Sequence, residues 1–369
     1  HENWGLAGIY PWKNMRESTS AKIIGTRIYF LIDGKQQLQQ QSISPERFYQ
    51  LRKALLLRNP EKRLNEHHAE VYMLDGTRIT IFEPPLVKEP TVIFRKYIVE
   101  NYTFEEQAKR GTIPYEIIPM LKAKVKIGYN VCFVGPVRSA KTTFLATWQS
   151  YEDSKLEGIQ VETDPEIPLH NIMPTAPIVQ IVADGDSLKN IVKKLVRGDA
   201  DYIIMAEARD GIALKIATTV TAKGTRRVKS TFHTSDPADF PLDAALEIVN
   251  EFPGTDLFTT IVKVAKGYHY LYEFCQLKDK SKKRLKGIYE LRYNPTTFEI
   301  TVHQICKYDF KSDSWTFKYD IGEDKERIAY EEDIEAFNIF KNELKKLSEM
   351  YPMKEDHIIK PYYNYFIKA

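Results

Sequence analysis

Cysteine is scarce in this chain. Cys132, Cys275 and Cys306 are the three among 369 residues, far apart and with no C-x-x-C pair. That spacing excludes a disulfide framework or a zinc-finger pattern and suits buried thiols in a reducing cytosol. Long apolar runs are also missing, none reaching the ~18 residues that a helix needs to cross a bilayer. Neither sign of charge dominates: 53 Lys and Arg face 50 Asp and Glu, a net +3. An excess that small does not call for a nucleic-acid partner. There is no internal repeat and no signal-peptide pattern, the chain opening at His1 rather than Met. What remains is an ordinary folded composition, 43% apolar and 28% charged, expected to be cytosolic and long enough for two domains and a tail.

The most informative stretch is Asn130 to Ser150, NVCFVGPVRSAKTTFLATWQS. A short apolar strand (Val131 to Val134) runs into a loop at Gly135, and a helix starts near Lys141. Lys141 followed by Thr142 and Thr143 at such a junction marks a phosphate-binding P-loop, G-x-x-x-x-G-K-[ST]. Backbone N–H groups of Gly135, Pro136, Val137, Arg138, Ser139, Ala140 and the first helical turn would cradle phosphates, less the one that Pro136 lacks. Lys141 would neutralise them and the Thr142 hydroxyl would ligate Mg²⁺. Ala140 stands where the second Gly belongs, a substitution that costs little only if φ there is negative. Because Lys141 and Thr142 keep the P-loop spacing, a negative φ is expected, with Arg138 replacing the charge lost with the Pro136 donor. A lysine at a helix start with no ligand is the plain alternative.

Ahead of this stretch, residues 1–20 read as an arm containing Trp4 and Trp12. Arg27 to Asp33 is a strand ending in an Asp33-Gly34 hairpin turn. Ser44-Pro45 opens a helix with Phe48, Leu51, Leu55 and Leu56 on one face. Ala69–Leu74 and Arg78–Phe82 flank an Asp75-Gly76 turn, and Thr91–Arg95 is a further strand, so residues 1–105 form a small α+β domain. Thr103 caps a helix that Gly111 ends. Beyond it, strands at Val131–Val134, Ile159–Glu162, Ile178–Val182, Tyr202–Ala206 and Lys229–Phe232 alternate with helices, the sign of a parallel α/β sheet. Asp236-Pro237 starts a helix reaching about Phe252. After Leu257 strands are expected at Ile261–Val264, Tyr268–Gln276, Leu285–Leu291 and Phe298–Cys306, with Lys278–Lys286 a solvated basic turn. One charged helix, Glu326 to Met350, and an extended tail close the chain. Tyr362, Tyr363, Tyr365 and Phe366 in that tail are read as packing rather than as a partner patch.

Three strand ends complete the pattern. Glu162 ends one strand, with Asp164 and Glu166 beyond it, and a carboxylate there can orient water against a γ-phosphate. Tyr202 to Glu207 is an apolar strand delivering a carboxylate, the form of a metal-holding Walker B element. Ser230 to His233 ends in an imidazole able to sense the γ-phosphate. Each has a plain alternative: a solvated acid, a partner for Arg209, a helix cap. Together on one P-loop sheet they define a site.

On these motifs the chain resembles the secretion-motor ATPase superfamily of type II and type IV secretion, type IV pili and tight-adherence pili. The resemblance is strongest to the tight-adherence pilus and conjugation branch and covers roughly residues 25–307. The family's D-G-[ST]-R-[VI] strand and following P-P read DGTRITIFEPP at Asp75–Pro85, and its T-[IL]-[IT]-[IL]-R-K strand reads TVIFRK at Thr91–Lys96. The acidic box is VETDPEI around Glu162 and Glu166, the Walker B segment is DYIIMAEARDGIA with Asp201, Glu207 and Arg209, and T-T-[IV]-H-A is STFHT with His233. Departures fall at Arg138 and Ala140, at Thr221–Thr225 where the family's T-G-H-D-G has a His, and in a basic loop, Thr225 to Lys229, all expected near the nucleotide.

The resemblance implies an α/β fold: a RecA-like P-loop ATPase domain (106–307) after the small α+β domain, a C-terminal β-hairpin extension, and a terminal helix and tail (308–369). It implies ATP and Mg²⁺ as cofactors, with Thr142 and Glu207 at the metal and Glu162 orienting water. Lys141 and His233 would meet the phosphates, and Arg78 and Arg95 would neutralise phosphate charge when the domains close. It implies a homo-hexamer peripheral to the inner face of the cytoplasmic membrane, driving a membrane platform protein and not binding nucleic acid directly. A degenerate P-loop serving as a scaffold ring is the alternative.

Overall fold

A computed structural model describes residues 9–15, 18–58, 67–73, 77–96, 101–163, 165–183, 185–195, 200–208 and 210–367. The Asp75-Gly76 turn, Trp4, Asp164 and Arg209 lie outside the described residues. The chain divides into two compact units, His1–Glu100 and Asn101–Ala369.

The first unit contains α1 (Tyr10–Asn14), β1 (Ser20–Ile24), β2 (Arg27–Ile32), β3 (Lys35–Ser42), α2 (Pro45–Arg58), β4 (His68–Tyr72), β5 (Arg78–Phe82) and β6 (Thr91–Arg95). Its strands form one antiparallel sheet in the order β3-β2-β1-β6-β5-β4. Alternating burial along β1, β5 and β6 puts Ala21, Ile23, Ile79, Ile81, Val92 and Phe94 on one face, against Leu51 and Leu55 of α2. The Asp33-Gly34 turn has positive φ at both residues (48° and 73°), the left-handed pair that a two-residue hairpin requires. It forces Lys35–Ser42 back along β2, a strand that its glutamine-rich sequence does not announce. Part of the expected arm is ordered: Trp12 is buried, and Lys96 donates to its carbonyl at 2.6 Å and to that of Met15 at 2.7 Å.

The second unit opens with α3 (Phe104–Lys109), capped by Thr103 accepting from the Glu106 N–H, and α4 (Ile118–Ile127). It continues through β7 (Val131–Val134), α5 (Lys141–Gln149), β8 (Gly158–Glu162), α6 (Leu169–Ile172), β9 (Ile178–Val182), α7 (Gly185–Leu195), β10 (Tyr202–Met205), α8 (Gly211–Ala222) and β11 (Lys229–Phe232). Next come α9 (Phe240–Glu251), α10 (Leu257–Gly267), β12 (Tyr270–Gln276), β13 (Lys283–Asn294), β14 (Glu299–Asp309) and β15 (Ser314–Phe317). The last elements are α11 (Glu323–Glu332), α12 (Ile334–Met350), β16 (Ile358–Ile359) and α13 (Asn364–Ile367). One sheet runs β15-β14-β13-β12-β7-β11-β10-β8-β9; it is parallel from β12 to β9, antiparallel from β12 to β15, and β16 pairs with β14. Helices cover both faces. Phe144 and Trp148 of α5, Leu121 of α4 and Phe340 of α12 pack on one face, and Leu214, Ile248 and Val264 of α8, α9 and α10 on the other. Such two-sided burial explains why β7, β10 and β11 are buried at every residue rather than alternating. The architecture is a RecA-like α/β domain after a small α+β domain, with the antiparallel strands β13–β15 as its extension.

Two expectations need correcting. Ile261–Val264 is not a strand: Asp256 caps α10 through the Thr259 N–H at 2.7 Å, and Ile261, Val264 and Ala265 bury one helical stripe. The β-branched residues misled, and the cap decides. The single helix Glu326–Met350 is two, broken at Asp333, whose extended backbone (φ −155°) lets its carboxylate cap α12 through Ala336 N–H. The tail is docked where Tyr363 is buried and donates to the Ala238 carbonyl at 2.9 Å, whereas Tyr365 faces outward. Among the described residues no helix is long and apolar enough to cross a membrane.

Candidate nucleotide site

Because β7, β8, β10 and β11 are parallel, their carboxyl ends share one edge of the sheet. Strand β11 lies between β7 and β10, with Phe232 level with Val134, so His233 emerges beside Gly135. The loop after β7 begins at Gly135 with φ 133°, where any Cβ would collide with the Phe274 carbonyl of β12. Only glycine fits.

The rest of the loop departs from expectation at Ala140. Its φ is 79°, left-handed, and Arg138 is also left-handed at 64°. The backbone thus takes the turn that glycines make easily, with a Cβ at both positions and a strain of ~1–2 kcal/mol for each. The retained Lys-Thr spacing reflects this closed loop shape, not a relaxed φ. Ala140 has no side chain to cap α5, so the first-turn N–H groups around Lys141, Thr142 and Thr143 are left facing the loop. Lys141 is buried and curls back over the loop: Nζ donates to the carbonyls of Gly135 at 2.9 Å and Pro136 at 2.8 Å. It also lies 3.1 Å from His233 Nδ1, which accepts from the ammonium in the tautomer protonated at Nε2. Ser139 Oγ is fully buried with no hydrogen-bond partner among the described residues. Val137 is exposed at the loop tip.

Glu162 ends β8 nearly buried. Its Oε1 accepts from the backbone N–H groups of Glu166 at 3.2 Å and Ile167 at 3.1 Å, so it ties down the turn that follows. Burial pushes its carboxyl up to about 8, with the nearby Glu166 charge adding to the rise and the two N–H bonds opposing it. Glu207, half-buried, follows β10 at the same edge. Its neighbours are fastened to β11: Thr231 Oγ1 donates to the Ala206 carbonyl at 2.6 Å, and Ala208 N–H to the Thr231 carbonyl at 3.0 Å. Thr231 was not singled out in the sequence, although its place two residues before His233 is a readable signal.

Arg78 and Arg95 belong to the first unit, directly opposite each other on β5 and β6. Arg78 donates to Glu70 Oε1 at 2.8 Å. Two facing arginines repel, and Glu70 is an anion already placed beside them.

The basic loop Thr225–Lys229 lies elsewhere than expected. It enters β11 at the amino edge, opposite the P-loop, and its charges are structural. Buried Lys229 ion-pairs with Glu152 at 2.9 Å, and Arg227 reaches the other oxygen of Glu152 at 2.7 Å. Arg226 meets Glu331 and Glu332 of α11.

Fold and loop together define a P-loop protein of the RecA-like class. A family model described as Type II/IV secretion system protein matches residues 68–242, a segment that spans the Arg78 and Arg95 strands, the P-loop and His233. Residues 68–242 are therefore similar to that family, as the motifs indicated, without resolving the tight-adherence branch. Among solved structures, the Yersinia pseudotuberculosis ATPase DotB is similar at 13% identity and TM-score 0.54, over 95% of this chain and 87% of that one. The Legionella pneumophila ATPase DotB gives 14% and 0.52 over 90% and 85%. The pilus retraction motor PilT, solved with bound ADP, gives 14% and 0.52 over 95% and 93%. At such identities the likeness is one of fold. No curated protein sequence matches this one.

Proposed function

We propose that this chain is one subunit of a homo-hexameric, ATP-hydrolysing motor. It would power assembly of a pilus or of a secretion or conjugation machine, from the inner face of the cytoplasmic membrane. Its working divisions are an N-terminal domain (1–105), the ATPase domain (106–307) and a C-terminal helix and tail (308–369). The partner is a membrane platform protein, not nucleic acid.

One observation carries the reading: the loop from Gly135 to Lys141 holds left-handed backbone at Arg138 and Ala140, residues that gain nothing from it locally. Strain of this kind clusters at ligand clamps and active sites, and two such residues fall within this one short loop. The loop fits a triphosphate through its uncapped helix start, the buried Ser139 hydroxyl and the Lys141 ammonium. Lys141 exchanges the Gly135 and Pro136 carbonyls for phosphate oxygens, a swap between similar hydrogen bonds that turns a neutral pairing into a charged one. Thr142 and Glu207 are the residues that would hold Mg²⁺, which when bound would supply Lewis-acid withdrawal of phosphate charge. Glu162, once deprotonated, accepts the proton of the attacking water, and His233 reports the γ-phosphate through Lys141. Arg78 and Arg95 supply positive charge when the N-terminal domain closes, and closure and opening form the stroke.

The test is steady-state ATP hydrolysis with and without Mg²⁺, beside Lys141→Ala. Turnover that needs Mg²⁺ and falls ~10²-fold or more in the variant supports the motor. Equal rates for both proteins, or phosphates of a bound analogue beyond hydrogen-bond reach of Lys141, sink it. The strain at Arg138 and Ala140 also favours a second reading, a pseudo-ATPase scaffold ring whose degenerate loop binds nucleotide weakly or not at all. No hydrolysis, with nucleotide bound weakly or not at all, would select it.

A further inference from the structure

Far from the loop in sequence, three side chains converge from separate segments. His303 is on β14, Asp320 follows β15, and His357 immediately precedes β16. Asp320 Oδ2 is 2.6 Å from His303 Nδ1 and 2.8 Å from His357 Nε2. The ligand-type atoms of all three lie within 4.8 Å of one another. We propose that His303, Asp320 and His357 form a binding site for a divalent transition metal of the zinc type, which staples the C-terminal segment to the sheet.

The donor set selects the metal class. Two imidazoles and one carboxylate suit zinc and its neighbours, whereas Mg²⁺ and Ca²⁺ prefer oxygen alone. The dimensions also fit. Zinc ligands at ~2.0–2.1 Å in a tetrahedron stand about 3.3 Å apart, so Asp320 Oδ2 needs to draw back from each imidazole nitrogen by roughly 0.5–0.7 Å, the two nitrogens themselves lying within 4.8 Å of each other. Water would fill the fourth position.

The surroundings hold each ligand in place, as the outer shell of a metal site does. Thr301 Oγ1 lies 3.0 Å from His303 Nε2 and can accept from it, which leaves the Nδ1 lone pair for a cation. Arg292 donates to Asp320 Oδ1 at 2.7 Å and leaves Oδ2 available, while its own charge is balanced by Glu290 at 2.6 Å. Strand β16 pairs with β14, Ile358 opposite His303, and the His357 carbonyl accepts from Gln304 N–H at 2.8 Å. His357 is thereby placed by backbone bonds before any ion arrives. Side-chain exposures of 9%, 20% and 15% for His303, Asp320 and His357 leave a path to solvent.

The experiment titrates Zn²⁺ into the chelator-stripped, nucleotide-free full chain against a chromophoric competitor, with Co²⁺ as the spectroscopic probe. One equivalent bound, the intense visible bands of tetrahedral Co²⁺, and a Zn²⁺-dependent rise in melting temperature are expected. Asp320→Asn and His357→Gln should each weaken binding about tenfold or more and abolish the rise. No stoichiometric Zn²⁺ binding, or undiminished binding in both folded variants, overturns the proposal and leaves a hydrogen-bonded His–Asp–His cluster. Zinc-edge X-ray absorption on the unmutated chain decides without any variant: two imidazoles in the shell support the site, and fewer overturn it.

Discussion

The two edges of the parallel sheet are built on opposite principles. At the amino edge, buried charge is balanced: Glu152 sits between Lys229 and Arg227, and Arg227 also donates to the carbonyls of Val125 and Lys126. Asn130 there donates to the Gly267 carbonyl and accepts from Val228 N–H, locking β7 to its neighbours. At the carboxyl edge, Arg138 and Ala140 are strained, the Ser139 hydroxyl is buried without a partner among the described residues, and Glu162 is pushed up to about 8. Left-handed backbone occurs at both edges, Arg227 having φ 58°, so the contrast lies in how buried charge is handled: paired at the amino edge, desolvated at the carboxyl edge. That difference supports the proposed placement of the nucleotide chemistry at the carboxyl edge.

The sharpest way to break the contrast is at the amino edge. Glu152→Ala leaves Lys229 buried beside Arg227 without its counter-charge and should cost about 3–5 kcal/mol of unfolding free energy. Urea unfolding measures this, and nucleotide affinity of the molecules that remain folded should not change. A loss under about 1 kcal/mol would mean that the amino edge is not what secures the sheet.

Next in size is the chemistry at the other edge. Glu162→Gln should lower turnover ~10²-fold or more with ATP affinity largely intact. The wild-type rate should rise as pH passes through about 8, because the base works deprotonated, and the Gln variant should lose that rise. An equal loss from Glu166→Gln, with Glu162→Gln active, reverses the assignment. Folding stability carries the same signature with the opposite sense. The carboxyl is raised above its ordinary 4.5, so its stabilising contribution is complete below that pH and is lost as pH climbs through about 8. Denaturant midpoints compared across this window would reveal the slope, and Glu162→Gln would flatten it.

The smallest effect probes the strain. Ala140→Gly relieves the left-handed Cβ but frees the unfolded chain, for a net gain near 1 kcal/mol. Thermal unfolding should register it, and turnover should rise by less than about tenfold, or ~1.4 kcal/mol of barrier. Activity switched on from an undetectable baseline would instead select the scaffold.

Much of this was legible because it is local. The strand, loop and helix around Gly135 to Gln149, the Thr103 cap and the Asp33-Gly34 turn each rest on residues within a few positions of one another. The sign of φ at Ala140 was not legible. Residue preference argues for negative, but β7 and α5 fix the loop's ends and impose the turn on whatever residue stands there. The basic loop was misplaced because Glu152, the residue that explains it, is distant in sequence and carries no motif. His303, Asp320 and His357 escaped for the same reason, since no spacing rule links a strand, a connection and a tail.

The meeting of Gly135 with the Phe274 carbonyl has a mechanical consequence. Phe274 sits where the β12–β13 register shifts, between Glu273 and Phe274, and Lys286 of β13 reaches back to Glu273 at 2.6 Å. The root of the P-loop therefore leans directly on the backbone of the strand that begins the antiparallel extension. Any load that twists β13–β15 arrives at the loop through a bare backbone contact, with no side chain between to act as a spring. The extension and the P-loop meet at the one point where a methyl group is missing from Gly135.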